Sequence, residues 1–259
     1  MASLKEIKNR IASVKNTLKI TSAMKMVASA KLHKAQDAIG NKLPYEQKLH
    51  HILSGLLQDD ELHKAMHDDL GFGNPHGHSP VVLQDVSSDV LPVKEEVNRI
   101  ALVAFSSNGS LCGAFNANVI KRFHSVVSIL ENNGYERDDI DIYAIGRKVA
   151  DAARKAGFIL KADLSEMADK PSYDNAFDLA TDLVDSFTEG EVSQVILLYS
   201  HFESPASQPV VRENYLPLAL HDYDEGDESV DYVLEPDPLS IVRALLPQVL
   251  LLKIYTVML

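Results

Sequence analysis

The residues with the most chemical potential lie in the stretch from Ser106 to Asn116, SSNGSLCGAFN, between a predicted strand and a predicted helix. A doubly wound α/β fold binds nucleotides at such a position. The stretch has neither the G-x-G-x-x-G nor the G-x-x-x-x-G-K-[ST] pattern, and its glycines and Asn116 are typical of a tight turn and a helix cap. Ser110 lies outside a G-x-S-x-G elbow, and no histidine can be assigned as a base to Cys112. We therefore expect no catalytic residue and no cofactor here.

Two further groups of side chains are of types that could hold a metal ion. The first is the histidines His63, His67, His76 and His78, of which the first two would share a face if helical. They lack a cysteine and a fixed ligand spacing, so polar loop histidines are the favoured interpretation over zinc. The second is eight carboxylates between residues 222 and 237, which could hold calcium but lack EF-hand spacing. We expect no metal site in either group.

The elements that would carry these residues alternate between strands and helices after residue 96. The predicted strands are Val97 to Phe105, Ile140 to Ile145 and Val192 to Ser200, with Gln208 to Leu216 as an edge strand. The predicted helices are Asn116 to Asn132, Arg147 to Lys155 and Asn175 to Thr188, each followed closely by a glycine. This alternation predicts an α/β domain with a mainly parallel sheet from residue 97 to 236. The polar segment from residue 59 to 96 is predicted to be a loop or an insertion.

The first part of the chain predicts one long helix from Ser3 to about Gln36, continuing to about Leu57 with a kink or break at Pro44. Ser3 and Glu6 form a capping box. A narrow apolar seam with spacings of three and four, typical of a coiled-coil partner, is formed by Leu4, Ile7, Ile11, Val14 and Leu18. The last helix, from Asp237, would pair antiparallel with the region between Gln36 and Leu57.

Charge is distributed unevenly along the chain. Residues 1 to 50 contain ten Lys or Arg and three Asp or Glu, a net charge of +7, whereas the whole chain carries −12. A basic arm of this kind suits an acidic or phosphate-bearing partner, although a solvated helix face is the plainer interpretation. Nucleic acid is disfavoured, because the basic stretch has no aromatic residue before Tyr45 and no helix-turn-helix spacing.

Three stretches resemble one known family. The run from Leu4 to Gln36, with KITSAMKMVASAK at its centre, is similar to the N-terminal helix of the gamma subunits of F-type ATP synthases. The stretch from Ser106 to Asn116 resembles that family's S-x-x-x-G-L-C-G-x-x-N loop, and Leu234 to Pro238, LEPDP, resembles its Y-E-P-D-P sequence. The three follow each other in the family's order over nearly the whole length.

The resemblance implies a fold and a function. The fold would be α/β, with long N- and C-terminal helices forming an antiparallel coiled coil (residues 1–58 and 237–259) and a Rossmann-like domain. The function would be that of the central rotor shaft of a proton-translocating ATP synthase, without catalytic residues of its own. The partners would be the alpha and beta subunits around the helices and the epsilon and c subunits at the α/β domain, on the cytoplasmic face of the bacterial inner membrane. An adaptor that self-associates through the N-terminal helix is the alternative.

The resemblance also implies which residues meet partners. Contacts with the other subunits are expected at Lys5, Lys8, Arg10, Lys15, Lys19, Met24 and Lys25. The intrachain coiled coil is expected to use Ile39, Leu49, Leu53, Ile241, Leu245, Val249 and Leu252. In the family the last helix is longer, so we expect it to be cut short at Leu259. No segment fits a signal peptide, and the apolar stretch after Leu245 is predicted to be too short to span a membrane.

Overall fold

The computed structural model describes residues 3–57, 81–82, 99–204, 206–219, 235 and 237–259. The chain divides into two compact units, Met1–Tyr45 with Leu259, and Glu46–Met258. The four histidines of the first metal hypothesis, most of the acidic run and the predicted loop from 59 to 96, apart from Val81–Val82, lie outside the described residues.

The first helix, α1, covers Leu4–Leu57 without interruption. Its start is fixed as expected, because the Ser3 backbone N–H donates to the Glu6 carboxylate at 2.8 Å and the Glu6 N–H donates to the Ser3 hydroxyl at 3.3 Å. The kink or break predicted at Pro44 is wrong as to the break: α1 stays helical through the proline, which removes only one backbone donor, and the kink stays a prediction.

The α/β unit is built on one five-stranded sheet. Its strands, numbered in chain order after the two-residue β1 (Val81–Val82), are β2 (Arg99–Phe105), β3 (Ile140–Ile145), β4 (Leu160–Asp163), β5 (Val192–Ser200) and β6 (Val210–Leu216). The sheet order is β4-β3-β2-β5-β6, and only β6 runs antiparallel to its neighbour. A second, two-stranded parallel ladder pairs β1 with β7 (Leu218–Ala219).

In the described part of the chain, four helices follow α1. They are α2 (Phe115–Asn132), α3 (Arg147–Lys155), α4 (Tyr173–Thr188) and α5 (Pro238–Met258), with short 3-10 turns at Arg137–Asp139 and Ser165–Ala168. Gly134, Gly157 and Gly190 each have a positive φ just after α2, α3 and α4, which lets the backbone leave the helix with its last carbonyls hydrogen-bonded. These helix ends confirm the sequence prediction.

The central strands are buried on both faces, as expected for a parallel sheet covered by helices. Residues 100–105 of β2 alternate between two apolar clusters. On one face, Leu102 packs with Phe123 of α2 and Val149 of α3. On the other face, Val103 belongs to a cluster with residues of α4, of α5 and of the last turns of α1.

Strand β4 was not predicted. Its four residues alternate between half-buried and exposed, and Lys161 and Asp163 interrupt any apolar run, so it resembles a loop in sequence. It exists because β3 offers an unpaired edge to which it adds in parallel register. The predicted edge strand is confirmed, beginning at Val210 rather than at residue 208.

Helix α5 starts where Asp237 caps it, its carboxylate accepting from the Ser240 N–H at 2.9 Å and from the Ser240 hydroxyl at 2.6 Å. These hydrogen bonds lower the pKa of Asp237. With 21 residues, α5 is the one helix in the described part of the chain that is long and apolar enough to cross a membrane, which corrects the expectation that none is. Core helices of soluble proteins pass the same test, and Val242, Leu246 and Ile254 are buried in the cluster on the α4 side of the sheet.

Candidate functional site

The N-terminal part of α1 presents its apolar seam to solvent. Ten large apolar side chains between Leu4 and Leu32 are more than a third exposed, including Leu4 at 74% and Leu18 at 63%. A side chain of this kind forgoes roughly 1.5–3 kcal/mol of burial while it remains in water. A row of them on one helix indicates a surface that other chains cover.

The predicted basic contact residues lie on the same helix and are all exposed: Lys5, Lys8, Arg10, Lys15, Lys19 and Lys25. At about 100° per residue, four of these lysines fall within about 80° of one another, roughly a quarter-turn around the helix from the seam. Arg10 lies on the opposite flank of the seam. Met24, also predicted to contact a partner, is 47% exposed. The arm therefore combines an apolar stripe with a parallel basic stripe, although which subunit each residue meets stays a prediction.

The residues predicted for the intrachain coiled coil have a different environment. Leu49 and Leu53 of α1 and Val249 and Leu252 of α5 are buried, and all four belong to one apolar cluster with the sheet and α4. Partly buried residues that accompany them are Ile241 and Leu245, which pack against the same cluster. Ile39 is half-buried. Pairing of these residues across a coiled-coil seam stays a prediction.

The loop after β2 is held by Asn116, which is 8% exposed. Its side-chain oxygen accepts from the Ser107 N–H at 3.0 Å, and its amide nitrogen donates to the Gly109 carbonyl at 2.9 Å and lies 2.9 Å from Cys112 Sγ. The predicted helix-cap role of Asn116 is wrong, because α2 starts one residue earlier, with Ala114 at its cap position and no side-chain cap. Buried inside the loop, the Asn116 amide sets the shape of the turn instead.

Two backbone amides at the start of α3, beside this loop, already have partners. The Arg147 N–H at the start of α3 donates to the Asn108 side chain at 2.7 Å, and the Val149 N–H donates to the Ser106 hydroxyl at 3.0 Å. Asn108 also donates to the Ser165 carbonyl and to Asp169. An anion would have to displace these bonds, so the geometry favours a rigid connection over a phosphate cradle. Among the described residues, no group of three or more His, Cys, Asp or Glu could hold a metal ion.

A polar cluster that the sequence did not reveal joins α5 to the sheet. Lys253 Nζ lies 2.7 Å from a Glu213 carboxylate oxygen, and Tyr199 donates its hydroxyl to the other oxygen at 2.6 Å. Burial, and next the charge of Glu213, raises the pKa of Tyr199. Nearby, Thr256 donates to Glu46 of α1 at 2.7 Å. The only sequence signal was Glu213 within a predicted edge strand, and no spacing links it to Lys253 forty residues later.

Fold and surface together define a class of protein. A long helix with exposed apolar and basic stripes is joined to an α/β domain with a mainly parallel sheet. This is the architecture of a subunit that acts by contacting other chains.

Comparison with known proteins specifies the class. A family model described as ATP synthase matches residues 3–259. The ATP synthase gamma chain of Phocaeicola vulgatus is 47% identical, over 100% of this chain and 82% of the relative, and that of Bacteroides fragilis is 45% identical over 99% and 81%. A chain in the cryo-EM structure of the Tetrahymena thermophila mitochondrial ATP synthase central stalk and c-ring aligns with a TM-score of 0.53 and 17% identity, covering 92% of this chain and 90% of that chain.

The chain belongs to the ATP synthase gamma-chain family. Its length corresponds to about four-fifths of those relatives. The fold class predicted from the sequence is confirmed: long N- and C-terminal helices of the gamma-chain coiled-coil type with a Rossmann-like α/β domain and a mainly parallel sheet.

Proposed function

We propose that this chain is the central rotor shaft of a proton-translocating ATP synthase and couples rotation of a membrane ring to ATP synthesis and hydrolysis at the beta subunits. The observation that carries the proposal is the exposed arm of α1, with ten large apolar side chains bare between Leu4 and Leu32. Membership of the gamma-chain family supports the proposal, because a gamma chain is a subunit of a complex whose other chains can cover such an arm.

In this role the chain is non-catalytic and transmits force. The arm lies within a ring of alpha and beta subunits, where its apolar seam is covered and its lysines face acidic loops. The α/β domain contacts the epsilon and c subunits, on the cytoplasmic face of the bacterial inner membrane. Membrane association is indirect, through the complex.

The charge of the arm supports an acidic partner. Lys5, Lys8, Lys15 and Lys19 form one exposed stripe, and the first acid after Glu6 is Asp37. Complementary charge raises the rate of association and fixes the register of a complex more than it raises affinity. A shaft that turns past several equivalent acidic surfaces needs this kind of attraction.

Met24→Lys tests the proposal in the assembled enzyme. A new charge at a close contact costs desolvation, so we expect the ratio of ATP-driven proton pumping to ATP hydrolysis to fall severalfold. Met24→Leu is the matched control, because it keeps an apolar side chain of similar volume at the same position. Normal pumping by the Met24→Lys enzyme, or an equal loss in both variants, would contradict the proposed contact.

A further inference from the structure

One side of α5 makes a succession of polar contacts with neighbouring elements. The Leu250 carbonyl accepts from the Tyr215 hydroxyl at 3.0 Å, and three residues later Lys253 pairs with Glu213 at 2.7 Å. After three more residues, Thr256 donates to Glu46. Residues spaced by three project from one side of a helix, so these contacts hold a single helical face.

Two nearby residues of β6 supply the strand side of these contacts. Glu213 and Tyr215 both contact α5, so both lie on the face of the sheet that α5 covers, although a β-bulge interrupts the ladder between Asn214 and Leu216. A shift of α5 by one residue would rotate its side chains by about 100° and break the contact between Lys253 and Glu213.

The ion pair between Lys253 and Glu213 is partly shielded from solvent, so it can contribute to stability. The side chain of Lys253 is 27% exposed and that of Glu213 is 33% exposed. Tyr199 occupies the second carboxylate oxygen, and Lys253 Nζ lies 5.9 Å from the Tyr199 ring centroid. The lysine therefore has an anionic and an aromatic partner, and the carboxylate has two donors.

We propose that Tyr199, Glu213 and Lys253, with the Thr256–Glu46 hydrogen bond, form a clamp that fixes the rotational register of α5 on the sheet and carries torque between the α/β domain and the terminal helices. Apolar packing alone is non-directional and permits a helix to slide or roll on a sheet. Hydrogen bonds and ion pairs of defined geometry oppose that movement. The torque part of this inference rests on the proposed rotor function, whereas the register part does not.

The register part is tested by hydrogen exchange of the full chain, followed by mass spectrometry. Lys253→Met keeps the aliphatic stem but removes the charge, and we expect the amides of residues 250–258 to exchange about fivefold faster, as loss of one partly buried ion pair implies. Lys253→Arg retains the charge and is expected to keep near-wild-type exchange. Lys161→Met is the matched control, because Lys161 pairs with Glu191 at 3.7 Å away from α5.

Unchanged exchange in Lys253→Met, or an equal increase in Lys161→Met, would overturn the clamp. The torque part is tested in the assembled ATP synthase, where Lys253→Met is expected to lower the ratio of proton pumping to ATP hydrolysis at least twofold while hydrolysis stays within twofold of wild type. An unaltered ratio alongside faster exchange would overturn the torque role. If the wild-type chain fails to assemble, the proposed function fails, and the exchange experiment still decides the clamp.

Discussion

The N-terminal arm and the α/β unit use similar apolar residues for opposite purposes. In β2, residues 100–105 are at most 7% exposed and stabilise the chain's own fold. In the arm, Ile7 and Ile11 are 49% and 50% exposed. The difference teaches that a regular apolar pattern reports a need for burial, and does not specify whether the same chain or another chain supplies it.

Truncation of a large apolar side chain should show the largest difference in stability between the α/β unit and the arm. Phe123 is fully buried on α2 and packs edge-on to Phe158 at 6.3 Å between ring centroids. Phe123→Ala should lower the free energy of unfolding of the isolated chain by about 3–5 kcal/mol. Leu18→Ala in the arm should change it by less than about 0.5 kcal/mol. Urea denaturation measures both, and a comparable loss in the arm variant would mean that the seam is buried within the chain.

The second-largest loss of stability should come from disturbing a close backbone contact in the α/β unit. Gly146 has φ of +104°, and a Cβ there would collide with the carbonyl oxygen of Ser106. Gly146→Ala should therefore cost about 3 kcal/mol of stability, from strain and displacement together. Gly113 also has a positive φ but has open space around it, so Gly113→Ala should cost only about 1 kcal/mol. Equal losses in thermal denaturation would show that the Ser106 contact has no effect.

Removal of the buried Asn116 side-chain amide should lower stability moderately. Asn116→Ala leaves the Ser107 N–H without its partner and removes one of the donors to the Gly109 carbonyl, so we expect a loss of about 2 kcal/mol in chemical denaturation. Asn118→Ala, at an exposed position on the same helix, is the control and should be close to neutral. An Asn116→Ala chain as stable as the control would show that these hydrogen bonds do not stabilise the loop.

The smallest effect should be a pH dependence confined to the α/β unit. Hydrogen bonds from Ser165, together with Arg154, lower the pKa of Asp163, and hydrogen bonds from Ser240 lower that of Asp237. Because the folded pKa lies below the unfolded value, this stabilisation is present above about pH 4 and is lost as the pH falls through the folded pKa. Thermal denaturation between pH 5 and pH 2 should show a smaller decrease for Asp237→Asn than for wild type. An identical decrease would assign the acid sensitivity to other groups.

Much of the α/β unit could be predicted because its strands are continuous apolar runs and its helices end at glycines. Strands β3 and β5 and helix α3 have the predicted bounds. Strand β4 could not be predicted, because pairing with β3 rather than its own composition makes it a strand. The continuity of α1 through Pro44 likewise depends on the rest of the helix.

For the candidate site, the local sequence pattern was sufficient to predict the arm but not the clamp. The seam and the lysine stripe follow from helical spacing alone. The contact between Glu213 and Lys253 joins residues forty positions apart, and neither type nor spacing identifies such a pair before the sheet and α5 are placed. The loop role of Asn116 was missed because an asparagine at the start of a helix has the same sequence signature whether it caps or folds inward.

The most direct test of the central claim is size-exclusion chromatography with light scattering of the chain mixed with ATP synthase alpha and beta subunits. A matched chain would carry Ile7→Ser, Ile11→Ser and Leu18→Ser in the exposed seam. We predict that the wild-type chain elutes in one complex with a ring of three alpha and three beta subunits, and that the seam variant remains folded but elutes alone. A wild-type chain that self-associates through the seam and ignores the alpha and beta subunits would contradict the rotor account and favour a coiled-coil adaptor.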